Sequence, residues 1–130
     1  MKILGIGVDI VKNKRIKQSI KNSNFKTRIY SSKELKLSTQ SKNEISYFAK
    51  RFAAKEAFAK ALGTGFRNNL NFNDIEIIND KMGKPYYLKN MKIKNLVKKK
   101  FNVKKFECFL SISDEKEYST AFTIIQTIWN

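Results

Sequence analysis

Residues 51–65, RFAAKEAFAKALGTG, combine strong helix formers with closing glycines, yet they set charged side chains among apolar ones. The spacing of the apolar residues predicts a long helix over 43–62 that the next glycine ends. On a helical wheel Lys55 falls inside the apolar arc, whereas Glu56 and Lys60 lie together at its edge. One interpretation is a solvated flank on which Glu56 and Lys60 pair, while Lys55 extends its ammonium group to water.

The first strand of the chain suggests a different interpretation. ILGIGVDIV, over 3–11, is an apolar run that predicts a buried strand, and its one charge is Asp9. A lone carboxylate in a buried strand is costly unless it is paired or bound to a metal. If Asp9 faced Glu56, the two carboxylates would repel each other unless a cation lay between them. Two carboxylates, with the other positions left to water and substrate phosphate, are how proteins usually hold Mg²⁺.

Length and charge bound the class of protein. The chain has 130 residues, enough for one domain with its own core, so we expect a single domain over 1–130. Its 27 basic and 11 acidic residues give a formal net charge of +16, and all but four of the basic residues are lysines. This charge favours nucleic acid, phosphorylated small molecules or an acidic protein as the partner. An AT-rich coding sequence gives the same lysine bias, so charge alone does not choose among them.

The absence of histidine narrows the chemistry. It removes imidazole bases, Ser-His-Asp catalysis and histidine metal ligands, which leaves carboxylates, lysines, hydroxyls and a hard cation held by oxygens. The single cysteine, Cys108, excludes an internal disulfide and any multi-thiolate metal site. No apolar run is long enough to span a bilayer, and the first residues lack the pattern of a signal peptide. We therefore expect a cytoplasmic protein.

The remaining patterns predict a mixture of helices and strands. Ser31 and Glu34 have the spacing of a capping box, which predicts the start of a short helix. A strand over 74–78, a turn at the GKP sequence and the segment YYL predict a β-hairpin. The other expected elements are helices over 13–21 and 91–101 and strands over 106–113 and 118–129. Because the elements do not alternate regularly as β-α-β units, the expected class is α+β.

Four segments, in this order, resemble the holo-[acyl-carrier-protein] synthase family of 4′-phosphopantetheinyl transferases. They are GIGVDIV with RI over 5–16, RFAAKEAFAKALGTG over 51–65, FNDIEI with GKP over 72–85, and SIS with EYSTAFTII over 111–125. The first two together are highly specific, whereas the GKP sequence and the last segment alone are weak. The resemblance implies the single-domain fold of this family, a long helix packed on a small, mostly antiparallel sheet.

The resemblance also implies an activity. Members of this family transfer 4′-phosphopantetheine from coenzyme A to a serine of apo-acyl carrier protein and release adenosine 3′,5′-bisphosphate. They require Mg²⁺, are typically homotrimers with active sites between subunits, and serve fatty acid and lipid biosynthesis. Nucleic acid and membranes are not expected partners on this basis.

Carried over position by position, the resemblance assigns roles to individual residues. Asp9 and Glu56 correspond to the metal-binding carboxylates, and Lys60 to a catalytic or phosphate-facing lysine. The positions that shape or contact the coenzyme A site are Arg51, Lys55, Gly63, Gly65, Gly83, Lys84 and Pro85. The residues expected to dock the acidic carrier protein are Arg15, which matches the docking arginine of the family, and its neighbours Lys14, Lys17 and Lys21.

Two points of the mechanism stay open. Either Glu56 or Lys60 could take the proton of the attacking serine; we favour Glu56, directly or through a water, with Lys60 as a charge clamp on the diphosphate. Family members also carry histidines two residues before and immediately after the SIS strand, where this chain has Phe109 or its neighbour and Asp114. How the nucleotide end of coenzyme A is held is therefore unassigned, and Asp114 is expected to serve only a turn.

Two alternatives remain at this point. A basic nucleic-acid-binding domain would bind polyanions with a steep salt dependence and would give Asp9 and Glu56 no role. An inactive relative of the family would still bind the carrier protein without transferring anything. Both are distinguished from the enzyme by whether phosphopantetheine appears on the carrier.

Overall fold

The structure is a computed structural model that describes residues 1–128. Its helices and antiparallel strands follow one another in mixed order, which confirms the α+β class. The elements are β1 (Ile3–Lys12), α1 (Asn13–Ser19), α2 (Ser23–Ile29), α3 (Ser32–Ser38), α4 (Glu44–Leu62), a 3₁₀ turn (Phe72–Asp74), β2 (Ile77–Asn79), β3 (Pro85–Tyr87), α5 (Met91–Phe101), β4 (Phe106–Asp114) and β5 (Tyr118–Thr127). The predicted last strand included Trp129, which lies outside the described residues.

A three-stranded antiparallel sheet in the order β1-β5-β4 forms the base of the fold. The long helix α4 lies across one side of this sheet, against β1 and β5. The opposite side carries large apolar side chains that water reaches, because no element among residues 1–128 covers them. We call this the outer sheet face; its exposed members are Ile6, Val8, Ile10, Phe109 and Phe122.

Glycines let β1 and α4 touch backbone to backbone. A Cβ atom on Gly5 would lie 1.8 Å from the carbonyl oxygen of Ala61, and one on Gly7 would lie 1.9 Å from that of Ala57. Four helical residues rise about 6 Å and two strand residues about 6.6 Å, so the two glycines match two successive turns of the helix. The GIG sequence and the alanine-rich helix are therefore two halves of one contact.

The ends of α4 are fixed by its flanking residues. The Asn43 side chain accepts the backbone N–H of Ser46 at 3.1 Å, so the helix begins one residue later than the predicted 43. At the other end Gly63 has φ 89° and donates its N–H to the carbonyls of Ala59 and Lys60, which confirms the predicted glycine stop.

Shorter elements follow the predictions less closely. The capping box of Ser31 and Glu34 is present and opens α3 as predicted. The strand predicted over 74–78 begins only at Ile77, because the Asp74 carboxylate accepts the N–H of Asn71 at 2.8 Å and closes a 3₁₀ turn. The hairpin of β2 and β3 and the helix over 91–101 are confirmed. Helix α2, which has only seven residues, was not predicted.

Candidate active site

Asp9 lies on the side of β1 that faces α4. Because strand residues alternate between faces, Asp9 shares the face of Gly5 and Gly7 and comes next along the helix contact. The Lys60 Nζ donates to Asp9 Oδ1 at 3.2 Å and to the carbonyl oxygen of Val8 at 2.9 Å. The Asp9 side chain is 17% exposed and that of Lys60 55%, so the pair opens to solvent on the lysine side.

Glu56 completes this group one helical turn before Lys60. Burial raises the pKa of Glu56, the Asp9 carboxylate raises it further, and Lys60 and Arg15 oppose the shift. Asp9, Glu56 and Lys60 are thus close enough to feel one another's charge. The solvated-flank interpretation is wrong about Lys60, which pairs with Asp9 and not with Glu56 among the ion pairs of residues 1–128.

The two carboxylates suit a hard cation. Within the described part of the chain no group of three or more His, Cys, Asp or Glu side chains could enclose a metal ion. Two partly buried carboxylates that raise each other's energy are stabilised by a divalent cation whose other positions go to water and substrate phosphate. The residues present therefore fit Mg²⁺ better than a metal that needs a closed protein cage.

Lys55 is buried and takes no part in the carboxylate group. Its side chain is fully buried, and its Nζ donates to Glu34 Oε1 at 2.7 Å, to the Phe72 carbonyl at 3.0 Å and to the Ile75 carbonyl. The expectation that Lys55 reaches water is wrong, because these three acceptors lie inside the core. With all three N–H groups used, Lys55 has none left for a phosphate, so it can shape a coenzyme A site but not contact the ligand here.

Arg51 lines a cavity of about 560 Å³ between α3, α4 and β2. Its guanidinium lies 3.7 Å from the ring centre of Tyr47, and Nη2 donates to Asn79 Oδ1 at 3.4 Å. Arg51 is only 4% exposed, yet its Nε–H has no partner among residues 1–128. A buried charged donor without a partner is costly, so this cavity fits an anion. We call it the anion cavity; besides Tyr47, Arg51 and Asn79 it is lined by Leu37, Lys42 and Lys50, among others.

The glycines and the GKP sequence fall into two groups. Pro85 is the register partner of Asn79, so the GKP turn, with Gly83 and Lys84 exposed, borders the anion cavity. Gly63 and Gly65 lie past the other end of α4, about 18 Å from Arg51 along the helix. The chain therefore does not bring all the predicted coenzyme A positions together around one cavity. At Gly63, Gly65 and Gly83 the positive φ angles explain the choice of glycine.

The basic side chains of α1 and of Lys21, two residues after its end, are all exposed. The Arg15 guanidinium lies 5.9 Å from the centre of the Phe52 ring on α4, and it lowers the pKa of Glu56. The predicted docking helix therefore borders the carboxylate group. The exposed residues of this basic surface are Lys14, Arg15, Lys17 and Lys21.

Two interactions were missed from the sequence. Glu34 was assigned only to a capping box, but its carboxylate also pairs with Lys55. Asp114, expected to serve a turn, accepts the hydroxyl of Ser46 at 2.9 Å and so ties the end of β4 to the first turn of α4, beside the anion cavity. No helix among the described residues is long and apolar enough to cross a membrane.

The chain is similar over nearly its whole length to proteins of one family. The family model described as 4′-phosphopantetheinyl transferase superfamily matches residues 5–123. The holo-[acyl-carrier-protein] synthase of Pelagibacter ubique is 60% identical over 126 residues, which cover 97% of this chain and 98% of the relative.

Solved structures give the same result. The crystal structure of the holo-[acyl-carrier-protein] synthase of Neisseria meningitidis superposes with a TM-score of 0.88 at 38% identity and covers 97% of this chain and 100% of its own. The enzyme of Bacillus anthracis, solved in complex with CoA (3′,5′-ADP), superposes with a TM-score of 0.79 at 33% identity and covers 97% and 98%.

Proposed function

Because this chain belongs to the holo-[acyl-carrier-protein] synthase family, we propose that Asp9, Glu56 and Lys60 form its reaction centre. The enzyme transfers 4′-phosphopantetheine from coenzyme A to a serine of apo-acyl carrier protein. The observation that carries the assignment is the convergence of two carboxylates and one exposed lysine, from β1 and α4, on one open site. The product would serve fatty acid and lipid biosynthesis.

The reaction requires one bond to form and one to break. The serine oxygen attacks the phosphorus that carries pantetheine, and the bond from that phosphorus to the 5′-phosphate oxygen of adenosine 3′,5′-bisphosphate breaks. The serine proton must leave, and we assign it to Glu56, directly or through a water, because this carboxylate lies beside Asp9 and Lys60 at the reaction centre. Phosphoryl transfer otherwise needs mainly positioning and charge neutralisation.

Lys60 acts as a charge clamp in this scheme. Its Nζ forms an ion pair with the Asp9 carboxylate and donates to the Val8 carbonyl, and its exposed side chain can turn toward a diphosphate at the mouth of the site. These contacts favour Glu56 over Lys60 as the base. Asp9 and Glu56 would hold Mg²⁺, which when bound neutralises charge on the diphosphate.

The anion cavity is the proposed site for the phosphate-bearing nucleotide end of coenzyme A. Arg51, Lys42 and Lys50 put three positive charges on the walls of this cavity. Lys84 at the bordering turn is exposed and adds a further cation. This assignment gives a role to the only buried arginine of the described chain and needs no histidine.

Carrier protein would dock on the basic surface of Lys14, Arg15, Lys17 and Lys21. Acyl carrier proteins are acidic, so opposite charge steers their encounter and sets their orientation more than it adds affinity. A carrier protein docked there would lie next to Glu56, since Arg15 is near enough to influence the pKa of that residue.

The outer sheet face supports a homotrimer. Ile6, Val8 and Ile10 of β1 are each more than half exposed, and Phe109 and Phe122 continue the same apolar surface. A contiguous exposed apolar surface is typical of an interface.

The test is incubation with coenzyme A, Mg²⁺ and apo-acyl carrier protein, followed by the intact mass of the carrier. We expect a phosphopantetheine adduct, and none on a carrier whose acceptor serine is replaced by alanine. No adduct on a carrier from the same cell would favour the inactive relative, and salt-sensitive binding to any polyanion would favour the nucleic-acid alternative. The cytoplasmic location is also a proposal, which cell fractionation tests.

A further inference from the structure

A buried ion pair joins α3 to α4. Lys55 and Glu34 are both fully buried, and their Nζ and Oε1 atoms lie 2.7 Å apart. Glu34 also accepts two backbone N–H groups, that of Ser31 at 3.0 Å on Oε1 and that of Ile77 at 3.0 Å on Oε2. Every oxygen of this carboxylate and every N–H of this ammonium group is therefore used inside the protein.

The pair also reaches the strand β2. Ile77 is the first residue of β2, and the Lys55 ammonium binds the Ile75 carbonyl just before it. Glu34 belongs to α3 and Lys55 to α4, so one polar group connects three elements. These same three elements form the walls of the anion cavity, through Leu37 on α3, Arg51 on α4 and Asn79 on β2.

Stability alone does not account for such a pair. Taking two charges out of water costs several kcal/mol per ion, and apolar replacements of buried pairs are often no less stable. Burial lowers the pKa of Lys55, and the Glu34 carboxylate opposes that shift. What the pair provides, and apolar side chains lack, is a fixed direction for each hydrogen bond, hence a fixed spacing of the three walls.

We propose that the Lys55–Glu34 pair is a positioning element that sets the spacing of the anion cavity for the nucleotide end of coenzyme A. This inference rests on the proposed function of the cavity. The reaction centre is held separately, because Gly5 and Gly7 lock β1 onto Ala57 and Ala61. Loss of the pair should therefore weaken coenzyme A binding much more than it lowers kcat, the rate of reaction in the bound complex.

The first experiment is the charge-free double variant Glu34→Gln/Lys55→Met, which leaves neither charge alone in the core. We expect a folded protein by circular dichroism, a Kd and a KM for coenzyme A that rise about tenfold or more, and a kcat within about twofold of wild type. The matched control Lys89→Met/Glu107→Gln removes a half-exposed ion pair, also with no change in net charge, and should bind like wild type. A folded double variant with wild-type Kd would overturn the proposal.

The second measurement uses the wild-type protein, so it does not depend on how the variant folds. Adenosine 3′,5′-bisphosphate is added, and amide hydrogen exchange is followed for Ser31 and Ile77, whose N–H groups donate to Glu34 but do not line the cavity. Coupling is reciprocal, so binding should slow exchange at both amides. The control is the Val103 amide, which donates to the Lys98 carbonyl after α5, away from the cavity, and its exchange should not change.

The outcomes separate the two proposals. If wild type binds adenosine 3′,5′-bisphosphate but neither amide changes, the positioning role is wrong while the function stands. If wild type neither binds this nucleotide nor modifies the carrier protein, the proposed function itself fails.

Discussion

Gly7→Ala is the sharpest perturbation of the contact that assembles the site. The new Cβ would lie 1.9 Å from the Ala57 carbonyl oxygen and 2.7 Å from the Ala61 nitrogen, whereas real Cβ atoms essentially never approach closer than 3.0 Å. Both opposing atoms are backbone, so no side-chain rotation relieves the clash. β1 and α4 must therefore separate by about 1 Å. Overpacking of this kind typically lowers the free energy of unfolding by about 1–3 kcal/mol.

The same separation should damage catalysis. Asp9 follows Gly7 on the same face of β1, so it moves away from Glu56 and Lys60 by a similar amount. A misplacement of about 1 Å can cost about 10²-fold in rate, and we expect kcat/KM to fall by that order. The assays are urea unfolding and the steady-state rate of carrier modification.

Gly5→Ala separates misplacement from simple loss of stability. Its Cβ would meet the Ala61 carbonyl oxygen at 1.8 Å, a clash of the same size, but it lies four residues from Asp9. We expect a similar loss of stability and a smaller loss of activity than for Gly7→Ala. A Gly7→Ala protein with unchanged stability and activity within twofold of wild type would refute the reasoning.

Three further predictions follow from the site and its surfaces. Glu56→Gln should lower the rate of phosphopantetheine transfer by about 10²-fold or more. It should also stabilise the metal-free protein at pH 7, because the raised pKa of Glu56 means that the charged carboxylate is less favourable in the folded than in the unfolded protein. That gain, measured by urea unfolding in a chelator, should disappear below about pH 4, where the carboxyl is protonated in both states; full activity would contradict the assignment. Arg15→Glu should raise the KM for carrier protein and flatten its salt dependence, whereas the exposed Arg67→Glu should not; an unmoved KM would place docking elsewhere. Val8→Lys on the outer sheet face should reduce the mass by sedimentation from that of a trimer toward 15.1 kDa, and Met82→Lys should leave it unchanged; a Val8→Lys trimer would exclude this face.

The long elements were predictable because their signals are repeated. Nineteen residues of α4 carry many apolar positions and both caps, and β1 is a continuous apolar run. Helix α2 and the 3₁₀ turn depend on one or two side chains, Asn22 and Asp74, whose bonds to backbone N–H groups have no periodicity to reveal them. Such elements are decided by local hydrogen bonds and by the tertiary contacts around them.

The sequence was enough to name the charged residues of the candidate site, but not to predict which ion pairs they would form. The cost of a buried carboxylate correctly marked Asp9 as a residue that needs a partner, and helical spacing set Glu56 beside Lys60. Spacing could not show that Lys60 would turn to β1, nor that Lys55 would find Glu34, 21 residues earlier on α3. Both depend on which elements the fold brings together, and pairing across the fold leaves no periodic trace in the sequence.

The order of strands in the sheet has a consequence for synthesis on the ribosome. β1 is synthesised before the other strands, yet its hydrogen-bonded neighbour in the sheet is β5. The pairing of β1 with β5, from Ile3 opposite Gln126 onward, can therefore form only after β5 has been synthesised. Until then a nascent chain carries an unpaired strand rich in Ile and Val, the kind of edge that joins other chains. Translation that stops before β5 should thus yield aggregates and no partial activity, and the emergence of β5 from the ribosome should be the step that commits the chain to its native form.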